Sequence, residues 1–110
     1  MLDEQQFRNA SDEALANLQR VLERASEQYE FDVDRNQGAL TIEFEDPPAK
    51  FVVSPNSPVR QIWISARVKS FKLDWDPAQS TFVLSADGRT LRQVIGDVIG
   101  EQLGETVQLR

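Results

Sequence analysis

Along residues 4–27 apolar side chains return every three or four positions: Phe7, Ala10, Ala14, Leu18, Val21, Leu22 and Ala25. That spacing follows the helical turn and predicts a long amphipathic helix, uninterrupted by Gly or Pro. From residue 30 to residue 85 the period changes to two. Leu40, Ile42 and Phe44 alternate with Thr41, Glu43 and Glu45, and Ile62 and Ile64 alternate with Gln61, Trp63 and Ser65. Phe71, Leu73 and Trp75 alternate with Lys72 and Asp74. A period of two marks strands with one buried face. Turn-forming residues separate them: Asn36-Gln37-Gly38, Asp46-Pro47-Pro48, Pro55-Asn56-Ser57-Pro58, Asp76-Pro77 and Asp87-Gly88. These gaps are too short for crossover helices, so five or six strands should run as an antiparallel meander.

A second helix follows. Thr90 and Gln93 have the spacing of a capping box, and Leu91, Val94, Ile95, Val98, Ile99 and Leu103 supply its apolar stripe. Gly104 is placed to end it, and the alternating Val107 and Leu109 predict a tail (105–110) lying against the protein. Helix, strands, helix over 110 residues predicts one α+β domain, 1–110. The architecture is a two-layer α–β sandwich with both helices on one face of the antiparallel sheet. The other face is left open.

Charge narrows the function. The chain has 18 acids and 12 bases, a net charge of −6, and the excess is confined to one half. Residues 1–50 hold 12 acids and 5 bases; residues 51–110 hold 6 and 7. Non-specific nucleic-acid binding needs clustered cations and is not expected. With no cysteine and no histidine, disulfides, thiolate nucleophiles, Cys/His zinc sites and imidazole bases are excluded. A metal here must be held by oxygen. No apolar run approaches the roughly 20 residues that cross a bilayer, and the acidic start, Met1-Leu2-Asp3-Glu4, does not resemble a signal peptide. The expectation is a cytoplasmic protein that does not engage membranes.

Two groups of residues stand out. If Ile62 and Ile64 face the helices, Trp63 must face outward, where an aromatic is either a hot spot for a protein partner or a side chain packed on its cross-strand neighbours. Glu30, Asp32 and Asp34 alternate with Phe31 and Val33, so three carboxylates should share one face of the first strand. Glu23 and Glu27, four apart near the end of the first helix, should share a face too. Together they can form a negative ridge that attracts cations, or a solvated acidic face; Arg20 and Arg24 are placed to pair with Glu23 and Glu27. No catalytic constellation is visible, because no base accompanies the Ser and Thr residues and no glycine-rich phosphate loop is present.

The segment Asn36-Gln37-Gly38-Ala39-Leu40-Thr41-Ile42-Glu43-Phe44 resembles a segment of the frataxin family, N-x-G-V-L-T-hydrophobic-x-F. Pro58-Val59-Arg60-Gln61-Ile62-Trp63-Ile64-Ser65 resembles its P-x-x-Q-I/V-W-L-S/A block. Leu73-Asp74-Trp75, Ser85-Ala86-Asp87-Gly88 and Gly104-Glu105-Thr106-Val107 fall where the family, in its CyaY-type bacterial members, has similar runs. The resemblance covers essentially the whole chain. It implies two helices on an antiparallel sheet and a role in iron–sulfur cluster assembly. That role is an iron-binding regulator or iron donor acting on the cysteine desulfurase and its scaffold protein, a monomer in the absence of iron. It also implies weak binding of Fe²⁺ and Fe³⁺ through carboxylates.

Carried over, Glu23, Glu30, Asp32 and Asp34 sit at ridge positions, with Glu27 nearby. Gln61 and Trp63 sit in the partner-binding strand, with Lys72 and Asp74 beside them. Ferroxidase activity is suggested only by the resemblance. The sequence departs from the family at Gln19, Arg20, Arg24 and Ser26, where relatives often carry acids, and at Ser54-Pro55-Asn56-Ser57-Pro58. Phe82 replaces a Trp common in the last strand. A small acidic chaperone or adaptor that binds a protein client is the alternative reading; it would be expected to dimerise.

Overall fold

The computed structural model describes residues 2–45 and 47–109. Asp46 of the expected Asp46-Pro47-Pro48 turn and Arg110 of the tail lie outside the described residues, as does Met1. The order of elements is α1 (Glu4–Ala25), β1 (Asp32–Asn36), β2 (Ala39–Glu45), β3 (Pro48–Asn56), a 3-10 turn (Ser57–Val59), β4 (Gln61–Ala66), β5 (Lys69–Asp76), β6 (Thr81–Leu84) and α2 (Leu91–Leu103). The strands lie in chain order, β1 to β6, each antiparallel to its neighbour.

Local chemistry explains the boundaries. α1 starts at a capping box: the Asp3 carboxylate accepts from the Gln6 N–H at 2.7 Å, and the Gln6 side chain accepts from the Asp3 N–H at 3.0 Å. It stops at Ala25, two residues short of the expected end. The Ser26 N–H caps the Leu22 carbonyl, and the Tyr29 N–H reaches back to Ala25. That turn redirects the chain so that Phe31 enters the core. The β1–β2 connection is two residues long, and both Gln37 and Gly38 have positive φ, the backbone that such tight hairpins require. α2 carries the expected capping box at Thr90 and Gln93 and ends at Gly104, whose φ of 73° suits glycine. Its entry is clamped by Arg89, which bonds Asp87 and Asp97 at 2.8 Å each.

Phe7, Leu15, Leu18, Val21 and Leu22 of α1 and Leu91, Val94, Ile95, Val98 and Ile99 of α2 close over the sheet's inner face. That face supplies Leu40, Ile42, Phe44, Phe51, Val53, Ile62, Ile64, Leu73 and Phe82. Phe82 is fully buried, edge-on to Phe7 at 5.9 Å and to Trp75 at 5.2 Å. Ser11 is also buried; its hydroxyl donates to the Arg8 carbonyl, so the position needs no apolar residue. Val107 and Leu109 are buried, and the tail lies across Gly96 and Gly100 of α2.

Candidate functional site

The outer face of the sheet is assembled by strand register. Directly opposite residues on β4 and β5 include Gln61 with Asp74 and Trp63 with Lys72, so the four residues expected to meet a partner form two adjacent cross-strand pairs. Ile62 and Ile64 are buried, and Trp63 therefore points outward, 37% exposed. Its orientation is fixed by a chain of hydrogen bonds. The indole Nε1–H donates to Gln61 Oε1 at 2.9 Å; Gln61 Nε2 donates to Asp74 Oδ1 at 3.0 Å; Ser85 Oγ donates to Asp74 Oδ2 at 2.9 Å. Lys72 Nζ stands over the indole, 4.9 Å from the ring centroid, within the range of a cation–π contact. Beside the indole lies a shallow, mostly apolar groove of about 280 Å³, lined by Val52, Ser54, Trp63, Ser65, Ser70 and Lys72 among others. Bonding by neighbours on its own face gives the exposed indole a set pose, so any association through it would lose less entropy.

The carboxylates occupy the opposite edge. A concavity of about 550 Å³ is lined by Glu27, Glu30, Asp32, Glu43 and Glu45, with Tyr29 and Phe31 between them. It sits where the α1–β1 turn meets the first hairpin. Register explains the crowding: Asp32 on β1 is directly opposite Glu43 on β2, and like charges so placed repel. Among the described residues none of these acids, nor Glu23 or Asp34, is in an ion pair. Arg20 bonds Asn17 instead.

The arrangement corrects three expectations. Glu27 lies in the turn beyond α1, so it does not share a helix face with Glu23. Glu30 precedes β1, so only Asp32 and Asp34 stand on that strand. Glu23 and Asp34 do not line the concavity, whereas Glu43 and Glu45 of β2 do. The missed pair was accessible in principle: a two-residue loop at Gln37-Gly38 fixes the register that sets Glu43 against Asp32.

As a ligand set, the acids offer hard oxygen donors suited to exchangeable cations. Among the described residues no three carboxylates converge closely enough to hold one metal ion. The concavity therefore offers a field and separate one- or two-carboxylate contacts rather than a closed coordination sphere. Among the described residues no helix is long and apolar enough to cross a membrane.

Comparison with known proteins bears on this pairing of an acid-lined edge with a fixed indole. Residues 1–105 match the frataxin-like domain. The chain belongs to the frataxin-like family. It is 29% identical over 107 residues to the iron-sulfur cluster assembly protein CyaY of Azotobacter vinelandii, covering 97% of this chain and 94% of that protein. It is likewise 29% identical over 109 residues to the protein of the same name from Dechloromonas aromatica, covering 99% and 100%. The solved frataxin structure from Psychromonas ingrahamii has the same fold, with a TM-score of 0.75 over 97% of both chains and 21% identity. The frataxin-like resemblance read from the Asn36–Phe44 and Pro58–Ser65 segments thus holds along the chain. So does the α–β sandwich it implied.

Proposed function

We propose that this frataxin-like protein works in cytoplasmic iron–sulfur cluster assembly, using its two charged and aromatic surfaces for different tasks. The indole face, Gln61, Trp63, Lys72 and Asp74, docks on the cysteine desulfurase–scaffold complex. The acid edge, Glu27, Glu30 and Asp32 with Glu43 and Glu45, and with Glu23 and Asp34 outlying, gathers Fe²⁺ or Fe³⁺ as cargo. Carboxylates that do not converge would hold iron weakly and release it readily, as delivery or sensing requires. The names of the Azotobacter and Dechloromonas relatives support the pathway. The observation that carries the docking role is the hydrogen-bonded chain from Ser85 through Asp74 and Gln61 to an exposed indole. A buried network would serve the core, but this one orients a side chain that faces solvent.

Calorimetry with the purified desulfurase–scaffold complex tests this reading. Trp63→Ala should weaken binding by more than tenfold while the fold stays intact, the behaviour of an aromatic hot spot. Unchanged affinity would overturn the docking role. Fe²⁺ titration followed by NMR tests the cargo role: broadening should begin at Glu27–Asp32 and Glu43–Glu45 and spare β4 and β5.

A further inference from the structure

β5 is twice as long as the strand that covers it. It spans Lys69–Asp76, whereas β6 pairs only with Leu73–Asp76. After Leu84 the chain turns away, with the Gly88 N–H bonded back to the Leu84 carbonyl and Thr90 bridged to Val83. On its β6 side, the backbone of Lys69, Ser70, Phe71 and Lys72 has no bonded strand beside it. Among the described residues no side chain or turn hydrogen-bonds to it. In an antiparallel strand every second residue directs both its N–H and its C=O to a given side. This half-strand therefore presents a short row of donors and acceptors at the sheet's edge.

We propose that the uncovered half of β5 is an addition site for an extended acidic segment of a partner protein. The charge around the edge selects that occupant. Arg67 at the β4–β5 turn and Lys72 on the strand are exposed, and neither is in an ion pair among the described residues. Lys69 shares Glu101, and Arg89, 5.9 Å from the Phe71 ring, shares Asp87 and Asp97. An added strand would set every second side chain on the outer face, beside Ser70 and Lys72 and next to the groove along Trp63. A carboxylate opposite Lys72 forms a favourable cross-strand pair. A second copy of this chain fits less well: opposite residues share a face, so antiparallel pairing of β5 with β5 over this half would set Ser70 or Val68 against Lys72 and supply no carboxylate. This surface stands apart from the acid-lined edge; it shares Lys72 with the indole face, but its test does not depend on the desulfurase–scaffold complex.

The probe is a synthetic extended peptide of alternating glutamate and valine, with a lysine–valine peptide as control. Titration into the ¹⁵N-labelled protein should shift the backbone amides of Lys69–Lys72 and slow their exchange with solvent for the glutamate peptide only. Backbone N-methylation of alternate peptide residues, on the edge that pairs, should abolish the effect. Lys69→Glu combined with Lys72→Glu should raise the peptide Kd at least tenfold, with circular dichroism confirming that the sheet persists. Three results would overturn the proposal: no binding at millimolar peptide, equal binding of both peptides, or shifts confined to Trp63 and Gln61 without protection of the edge amides. Peptide-free protection of those amides in a sedimenting dimer would also overturn it, by assigning the edge to a second copy.

Discussion

A Cβ built on Gly100 would stand 2.7 Å from the backbone carbonyl oxygen of Glu105. A helix interior ordinarily gains about 1 kcal/mol when Gly becomes Ala. Here the added methyl meets backbone that cannot rotate away, and overpacking of this kind costs about 1–3 kcal/mol. Gly96 is gentler, with the Val107 carbonyl at 3.1 Å. Gly100→Ala should therefore lower stability by about 1–2 kcal/mol in urea unfolding, and Gly96→Ala by less. Deleting residues 105–110 removes the obstacle, so in the shortened chain Gly100→Ala should become stabilising. The same sign in both backgrounds would refute the contact as the cause.

The hydrogen bond from Trp63 to Gln61 gives a spectroscopic readout. Gln61→Leu removes the acceptor for the indole and one donor to Asp74. The indole N–H resonance should move upfield and exchange faster with water. Because these groups are partly open to solvent, stability should fall by only about 0.5–1.5 kcal/mol. An unmoved indole resonance would show that Gln61 does not hold the ring.

Five carboxylates around one concavity, none of them in an ion pair among the described residues, oppose the compact state through mutual repulsion. Changing Glu27, Glu30 and Asp32 together to Gln, Gln and Asn should raise the melting temperature by about 2–5 °C at low salt. The gain should shrink toward zero near 1 M NaCl, where the screening length is about 3 Å. A lower melting temperature for the triple variant would mean that these acids are engaged with cations of the protein.

The entry to α2 should be sensitive to acid. The Arg89 backbone N–H, followed by the Arg89 guanidinium, holds the Asp87 carboxyl below the ordinary aspartate range. Hydrogen bonds from the Gln79 side chain and the Ala78 N–H do the same for Asp76. A carboxyl whose pKa is lower in the folded state contributes stability above its unfolded value of about 4, and that contribution is lost as pH falls through the folded value. Melting temperature should thus drop below pH 4, and Asp87→Asn should be less stable at pH 7 and flatter with acid. An unchanged acid slope in Asp87→Asn would place the effect elsewhere.

The apolar rhythm made most of the fold readable. Alternation placed Ile62 and Ile64 inward and therefore Trp63 outward, and Thr90, Gln93 and Gly104 marked both ends of α2. The carboxylate site was less legible because it depends on contacts between elements. Glu27 left the helix when the chain turned to bury Phe31, and Glu43 joined the site through hairpin register, which residue spacing alone does not display. Leu15 fell outside the apolar stripe read from the sequence, and Ser11 looked polar, although its hydroxyl is satisfied within α1. The tail's dependence on Gly96 and Gly100 was hidden because a glycine inside a helix reads only as a weak helix former.

The strand order has a consequence in time. Each strand bonds only to neighbours in the chain, so hairpins can form one after another as a ribosome releases them. Their greasy side is a different matter, because half of its cover is α2, residues 91–103, which emerges last. Until then the nascent chain carries a nearly finished sheet with part of its inner surface uncovered, the stage at which a chaperone would find most to hold and a stalled ribosome would do most harm.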